Sequence, residues 1–427
     1  MKVVVIGSGG REHALSLKVS ESDLLTKLFI IPGNPGTAKC GENVILDVAN
    51  NSEIIEFCKS NEIELVIIGP EQPLVNGLGN ALRENNILVF GPDSGAARIE
   101  SDKSFAKNIM KFAGVPTANH IEFNASMYEH AVEFIKNKKY PCVLKANGLA
   151  AGKGVVVCNT PEEAEEALRS FFIEKVFGES GENILIEEFL EGEEASVFAI
   201  TDGINFVCLP PAQDHKKIGD NDTGKNTGGM GAYSPAPIVT NKIMEEVSKK
   251  IIEPILQTLN TEGKKFIGCL YVGLMLTAEG PKVIEFNCRF GDPEIQAVLP
   301  LVKGDFLGLL FSAAKGELND DLISYNGGSS VCVVAASKGY PESYQVGYDI
   351  SGLDEVTDSI NIYHAGTKDI AGKVVTNGGR VLGITSVLSD VDFVRAKKEV
   401  YDAISKIHFD NIYYRKDISN KAIKIKN

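Results

Sequence analysis

The sequence predicts a multidomain protein that mixes α/β and α+β architecture, and three observations carry that prediction. Over residues 1 to about 100, short apolar runs ending in Gly or Pro-Gly alternate with segments of helical spacing. In the middle of the chain a Gly-rich link joins two apolar strands. After about residue 325 a further set of strands is closed by an amphipathic helix. At 427 residues the chain exceeds what a single hydrophobic core serves. The expected order is an N-terminal doubly wound parallel sheet, a central α+β region and a small C-terminal α/β domain.

The N-terminal strands read as KVVVIG, KLFIIPG, ELVIIGP and ILVFGP. In a doubly wound sheet the loops after them share one edge and form a ligand crevice. Those loops are GSGGRE, PGNPG, GPEQPL and GPDS. The first resembles the dinucleotide fingerprint G-x-G-x-x-G, but Glu12 stands where the third glycine belongs. A nicotinamide dehydrogenase is therefore the weaker reading, and the loop is expected to face an anionic substrate instead.

Next, Ser101 or Asp102 caps a helix through KSFAKNIMKFAG, stopped by Gly114 and Pro116. Lys103 and Lys107 lie four apart on one face, which is ordinarily a solvated face and alternatively a ligand-facing one. The link Lys145-Ala-Asn-Gly-Leu-Ala-Ala-Gly-Lys-Gly154 departs from the P-loop in spacing and in lacking a final Ser or Thr. Set between two strands, it reads as a flap that folds over phosphates, with Lys145 and Lys153 as point charges. The strand ILIEEFLEGEEAS would offer the backbone of Glu187-Glu188-Phe189-Leu190 to a base edge and Glu194 to ribose hydroxyls. Residues 213–237 show neither period and are expected to form a long functional loop. On VIEFNCRF, Glu285, Asn287 and Arg289 alternate and should share one face. The first two suit Mg²⁺ and the third an anionic group.

The C-terminal part shows strands near SSVCVVAA and GRVLGITSV, a closing helix at DFVRAKKEVYDAIS and a basic ending, KAIKIKN, expected to be a solvated tail. A net charge of −14 argues against a dedicated nucleic-acid binder. Eight scattered cysteines without C-x-x-C read as reduced thiols, and no apolar run reaches the roughly 18 residues that would span a bilayer. A cytoplasmic enzyme is expected. Its parts describe ATP held between a flap and a metal-bearing sheet, suited to phosphorylating a carboxylate for attack by a nucleophile.

In this order, IGSGGREHAL, PGNPGTA, GPEQPLV, KANGLAAGKGV, IEEFLEGEEAS, QDHKKIGDNDTGKNTGGMGAYSPAP and VIEFNCRFGDPE closely resemble the phosphoribosylamine–glycine ligase family of ATP-grasp enzymes. The resemblance implies domains at 1–101, 102–325 (with a mobile small lobe at about 123–190) and 326–427. It implies a monomer that binds ATP, glycine and 5-phosphoribosylamine, with Mg²⁺ or Mn²⁺ on Glu285 and Asn287. It places ATP at Lys103, Lys145, Gly152, Lys153, Gly154, Glu187, Phe189, Leu190 and Glu194. Substrates would meet Gly9, Gly10, Arg11, Asn34, Glu71, Asp214, Asn226, Gly229 and Arg289. Catalytic roles would fall on Lys153, Asp214, His215 and Arg289. Asn147 replaces the family's usual Asp and Lys225 its usual Pro.

Overall fold

The computed structural model describes residues 1–150, 154–325 and 327–425. The first sheet contains β1 (Lys2–Gly7), β2 (Lys27–Pro32), β3 (Glu42–Asn43), β4 (Leu65–Ile68) and β5 (Leu88–Phe90), all parallel, in the order β3-β2-β1-β4-β5. Val3 and Val5 enter one hydrophobic cluster while Val4 and Ile6 enter another. Both faces are thus covered, which is why these strands read as unbroken apolar runs.

A small lobe follows, built from β6 (His120–Asn124), β7 (Cys142–Ala146), β8 (Val155–Cys158) and β9 (Asn183–Glu188) in the order β6-β9-β7-β8. The helices Tyr128–Lys136 and Pro161–Phe172 pack their apolar stripes against it around Leu144, Leu168 and Phe171. Pro161 sits at the helix start and Thr160 caps it, accepting from the Glu163 amide.

After β10 (Glu193–Thr201) and β11 (Phe206–Cys208), residues 213–237 are more ordered than the sequence suggests. They form β12 (Gln213–Asp214), β13 (Lys217–Gly219), β14 (Thr223–Asn226) and β15 (Gly231–Ser234). β13 and β14 pair as a hairpin, while β12 and β15 join the C-terminal sheet beside Ser329–Ser337. Strands this short carry too few residues to show a period. The large-lobe sheet is completed by β16 (Gly268–Thr277) and β17 (Gly280–Asn287), in the order β11-β10-β16-β17.

The C-terminal sheet also contains Ile360–His364 and Arg380–Leu388, covered by the helix Phe393–Ile404. The expectation of a solvated basic tail is corrected. Asn420–Ile425 is a helix, and Lys421 reaches Asp222 at 2.9 Å and Glu193 at 3.6 Å. Among the described residues no helix is long and apolar enough to cross a membrane.

Candidate active site

The helix Lys103–Ala113 begins at Asp102, whose carboxylate accepts from the Phe105 amide at 3.0 Å. That start places Lys103 and Lys107 one turn apart, facing the small lobe rather than solvent. Lys107 is buried and pairs with Glu187 at 3.0 Å. Glu187 also holds Lys145 at 2.8 Å, and Lys145 donates to the Ile284 carbonyl at 3.2 Å. Lys103 donates to the Gly148 carbonyl at 3.1 Å. Burial alone would raise the Glu187 carboxyl, yet Lys145 and Lys107 hold it below the usual carboxylate range. Burial likewise lowers Lys103, with Glu285 opposing the shift and Lys145 adding to it. Lys107 is the cation the sequence left as a solvated face. Its only signal was the four-residue spacing from Lys103.

This arrangement corrects the expectation for Glu187. Its backbone lies inside the ladder, opposite His120 and Val143, and its side chain sets two lysines. The ladder stops at Glu188, so Phe189 and Leu190 offer the backbone edge, and the Phe189 ring is exposed. Glu194 extends from β10 and pairs with Lys216 at 2.8 Å.

The ends of the Gly-rich link are fixed to the small lobe. Ala146 donates to the Gly154 carbonyl at 2.8 Å and Gly148 to the Ser180 carbonyl at 3.2 Å. A Cβ on Gly148 would lie 2.6 Å from the Ser180 hydroxyl, so that approach requires glycine. Gly152 and Lys153, central to the sequence reading, lie outside the described residues. Asn147 accepts from the Ser104 amide at 2.8 Å and donates to Asp102 at 3.1 Å. An Asp at 147 would set two carboxylates against each other there. Lys225 pairs with Glu342.

On β17 a bulge re-aims the polar residues. Gly273 pairs with Glu285 and Leu274 with Val283, which leaves Ile284 as the extra residue. The bulge shifts the alternation, burying Val283 and Phe286 and leaving Glu285 and Asn287 partly accessible. It also leaves the Ile284 carbonyl to Lys145. Among the described residues no cluster of three or more His, Cys, Asp or Glu could hold a metal alone. Glu285 and Asn287 do present two hard oxygen donors beside the lysine cluster. This suits a hard divalent cation whose remaining positions are filled by water and phosphate.

Arg289 lies past the end of β17 and is clamped from two sides. Glu71 accepts from Nε at 3.2 Å and Glu100 pairs with Nη2 at 3.0 Å. Glu71 also lies 3.8 Å from Arg11, which in turn pairs with Glu12 at 2.5 Å. Charges therefore alternate from Glu100 through Arg289, Glu71 and Arg11 to Glu12. Burial pushes Glu71 up, but the two guanidiniums bring it down to about 2.

The N-terminal loop is filled from within. The Glu12 carboxylate accepts from the Gly9 amide at 2.7 Å, occupying the helix N-terminus where a dinucleotide would place its pyrophosphate. A Cβ on Gly7 or Gly69 would fall 2.4 or 2.2 Å from the Glu12 side chain. Gly10 packs on Gln296, and Arg11 is buried. Asn34 is corrected from a substrate contact to an organiser of its loop. Its amide donates to the Ser8 and His364 carbonyls (2.8 and 2.9 Å) and its oxygen accepts from Gly36 and Thr37 (2.8 and 3.0 Å). That exhausts its hydrogen-bonding capacity.

Asp214 ends β12, and burial raises its carboxyl to about 7, with Lys216 opposing and Glu294 and Glu194 adding to the rise. His215 turns away into the core beside the Tyr233 ring, 2% exposed, and burial lowers it to about 4. That position does not suit direct contact with a substrate. Asn226 ends β14 opposite Lys217. Gly229, at φ +107°, packs so closely on Pro293 that a Cβ would lie 2.4 Å away. Arg380, from the C-terminal sheet, donates to the carbonyls of Gly228 and Asp292 (2.6 and 2.7 Å) and pairs with the Asp292 carboxylate at 2.8 Å. No local pattern in the sequence marks Arg380 or Glu100.

Three family models match in chain order. They describe the phosphoribosylglycinamide synthetase N domain (residues 1–100), its ATP-grasp (A) domain (101–295) and its C domain (330–421). A phosphoribosylamine–glycine ligase of Caldanaerobacter subterraneus is 45% identical over 98% of this chain and 99% of its own length. The solved phosphoribosylamine–glycine ligase of Thermotoga maritima is 33% identical, covering 98% of this chain and all of its own, with a TM-score of 0.84. The biotin carboxylase domain of the 2-oxoglutarate carboxylase of Hydrogenobacter thermophilus, solved with MgADP and bicarbonate, shares the fold. It is 19% identical with a TM-score of 0.71, covering 97% of this chain and 91% of its own.

Proposed function

The chain belongs to the phosphoribosylglycinamide synthetase family, and on that premise we propose how its residues join glycine to 5-phosphoribosylamine at the expense of ATP. The reaction yields glycinamide ribonucleotide, ADP and phosphate, through glycyl phosphate. The observation that carries the reading is the meeting of two surfaces. One bears Lys103, Lys107, Lys145 and Glu187, and the other bears Glu285, Asn287 and Arg289.

Adenine stacks on Phe189 and pairs with the backbone of Phe189 and Leu190, while Glu194 accepts from the ribose. Lys103 and Lys145 hold the phosphates, and the link carrying Gly152, Lys153 and Gly154 covers them. Glu187 keeps Lys145 aimed, so its position needs no reorganisation as charge develops on the transferred phosphoryl group. Glu285 and Asn287 would hold Mg²⁺ or Mn²⁺, which when bound offsets phosphate charge. Arg289 directs its remaining N–H donors at the glycine carboxylate as it takes the phosphoryl group. The amine of phosphoribosylamine then attacks the acyl carbon, the acyl–O bond breaks and phosphate leaves. Asp214, with its raised carboxyl, accepts the proton the amine gives up. Gly9, Gly10, Arg11, Glu71, Asn226 and Gly229 border the sugar phosphate. All these groups come from one chain, in keeping with a monomer, and eight free thiols fit a reducing compartment such as the cytoplasm.

The test is ADP release measured with freshly made phosphoribosylamine, ATP and Mg²⁺. Release is expected only when glycine is also present. Release driven by bicarbonate or another amino acid instead would assign a different substrate.

A further inference from the structure

Arg289 stands where regular structure has ended. β17 closes at Asn287, and the following residues turn away from the sheet. A side chain on such a segment needs support from elsewhere to hold a fixed direction. That support comes from Glu100, near the end of the helix Ser94–Ser101 and 8% exposed. One oxygen of Glu100 pairs with Arg289 Nη2 at 3.0 Å. The other accepts from the Cys288 amide at 2.8 Å and from the Cys288 Sγ at 3.1 Å. The same carboxylate therefore fixes both the main chain before Arg289 and the guanidinium itself.

The donor count shows what this leaves. Arg289 has five N–H donors. Glu71 takes Nε, Glu100 takes one on Nη2, and the Phe290 carbonyl takes one on Nη1 at 3.2 Å. Two remain for an anionic ligand. We infer that Glu100 is a positioning residue for the ligation: it aims those two donors at the reacting carboxylate without touching substrate. The inference rests on the assignment of Arg289 to the glycine end of the cleft.

Both neighbours of Glu100 are donors, so a carboxylate satisfies them together and an amide does not. Glu100→Gln keeps the shape but turns an NH₂ group toward either Arg289 or Cys288. Initial rates of ADP formation, with ATP and glycine varied separately, are measured for wild type, E100Q, R289K and the double variant. E100Q is expected to lower kcat about 30-fold with the KM for ATP within about twofold of wild type, below the 10²–10³-fold loss of a direct transition-state donor. R289K keeps the charge and loses the fork, so it is expected to fall about 100-fold. In the R289K background E100Q should cost less than about a further twofold, because residues acting through one group do not add. Multiplied losses in the double variant would overturn the inference. So would E100Q turning over at the wild-type rate, even with a lowered melting temperature. If E100Q does not fold, Glu100→Asp takes its place, keeping the charge but withdrawing it by one methylene. The same masking by R289K is expected, and its absence would refute the role. Failure of the wild type to release glycine-dependent ADP would instead count against the functional reading, and the two failures are separable.

Discussion

Two Gly-rich loops in this chain have similar compositions and opposite physical states. Gly7–Gly10 closes around the carboxylate of Glu12, and Gly7 and Gly9 make room for that side chain. The link after Lys145 is tied at Asn147, Gly148 and Gly154, with Lys103, Lys107 and Lys145 beside it. A glycine fingerprint therefore says that something approaches the backbone closely, and only the neighbouring residues say what. At the first loop it is the protein's own anion. At the second it is a set of lysines, of which Lys107 is fully engaged by Glu187, Thr117 and Ala118, and Lys103 and Lys145 are the ones proposed to meet a ligand.

The largest expected effect breaks the second region. Lys145→Ala or Glu285→Ala should lower turnover about 10²-fold or more, the scale of losing one charge partner of the transition state. Steady-state ADP release checks this, and a near-wild-type kcat would remove that residue from the chemistry. The first region breaks differently. Glu12→Ala leaves Arg11 buried with its nearest partner gone and opens a hole in the loop. Chemical unfolding should show a loss of about 2–3 kcal/mol, whereas a purely catalytic loss would mean that Glu12 serves substrate instead.

The pH dependence of stability sharpens the contact between the first region and the C-terminal domain. The His364 amide donates to His13 Nδ1 at 2.8 Å, and burial lowers the two imidazoles to about 3 and about 4. Folded values below the unfolded 6.5 mean that the unfolded chain binds protons first. This stability is therefore present above about pH 6.5 and lost as pH falls through about 4 for His364 and about 3 for His13. Each histidine should account for about 2 kcal/mol between pH 7.5 and pH 5. Urea midpoints at those two values measure it, and a flat profile would exclude the histidine contact. Smaller again, Gly10→Val would press on Gln296 and should raise the KM for phosphoribosylamine about 10-fold, leaving that for ATP almost unchanged. Smallest, Asn147→Asp sets a carboxylate against Asp102 and should raise the KM for ATP about threefold. A fall in that KM would show that the family's usual Asp is the better residue at this position.

The comparison also marks what the sequence made legible. The parallel sheet could be read because both of its faces are buried, making Val3–Ile6 a continuous apolar run. The motif-bearing residues were found, and the short strands within 213–237 were not, since two to four residues carry no period. Lys107 was legible as a spacing but not as an ion pair, because its partner Glu187 lies 80 positions away. The bulge at Ile284 was invisible for the same reason, since register belongs to two strands at once. Glu100 and Arg380 reach the site only through tertiary contacts, which no local pattern encodes.

We place the nucleotide at the flap and not at the N-terminal glycine loop. Calorimetric titration of Mg·ATP and of NADH into the wild type, Lys145→Ala and Gly10→Val tests it most directly. The expected result is Mg·ATP binding that Lys145→Ala weakens and Gly10→Val leaves unchanged, with no NADH binding. NADH binding that Gly10→Val abolishes, with Mg·ATP silent, would contradict it.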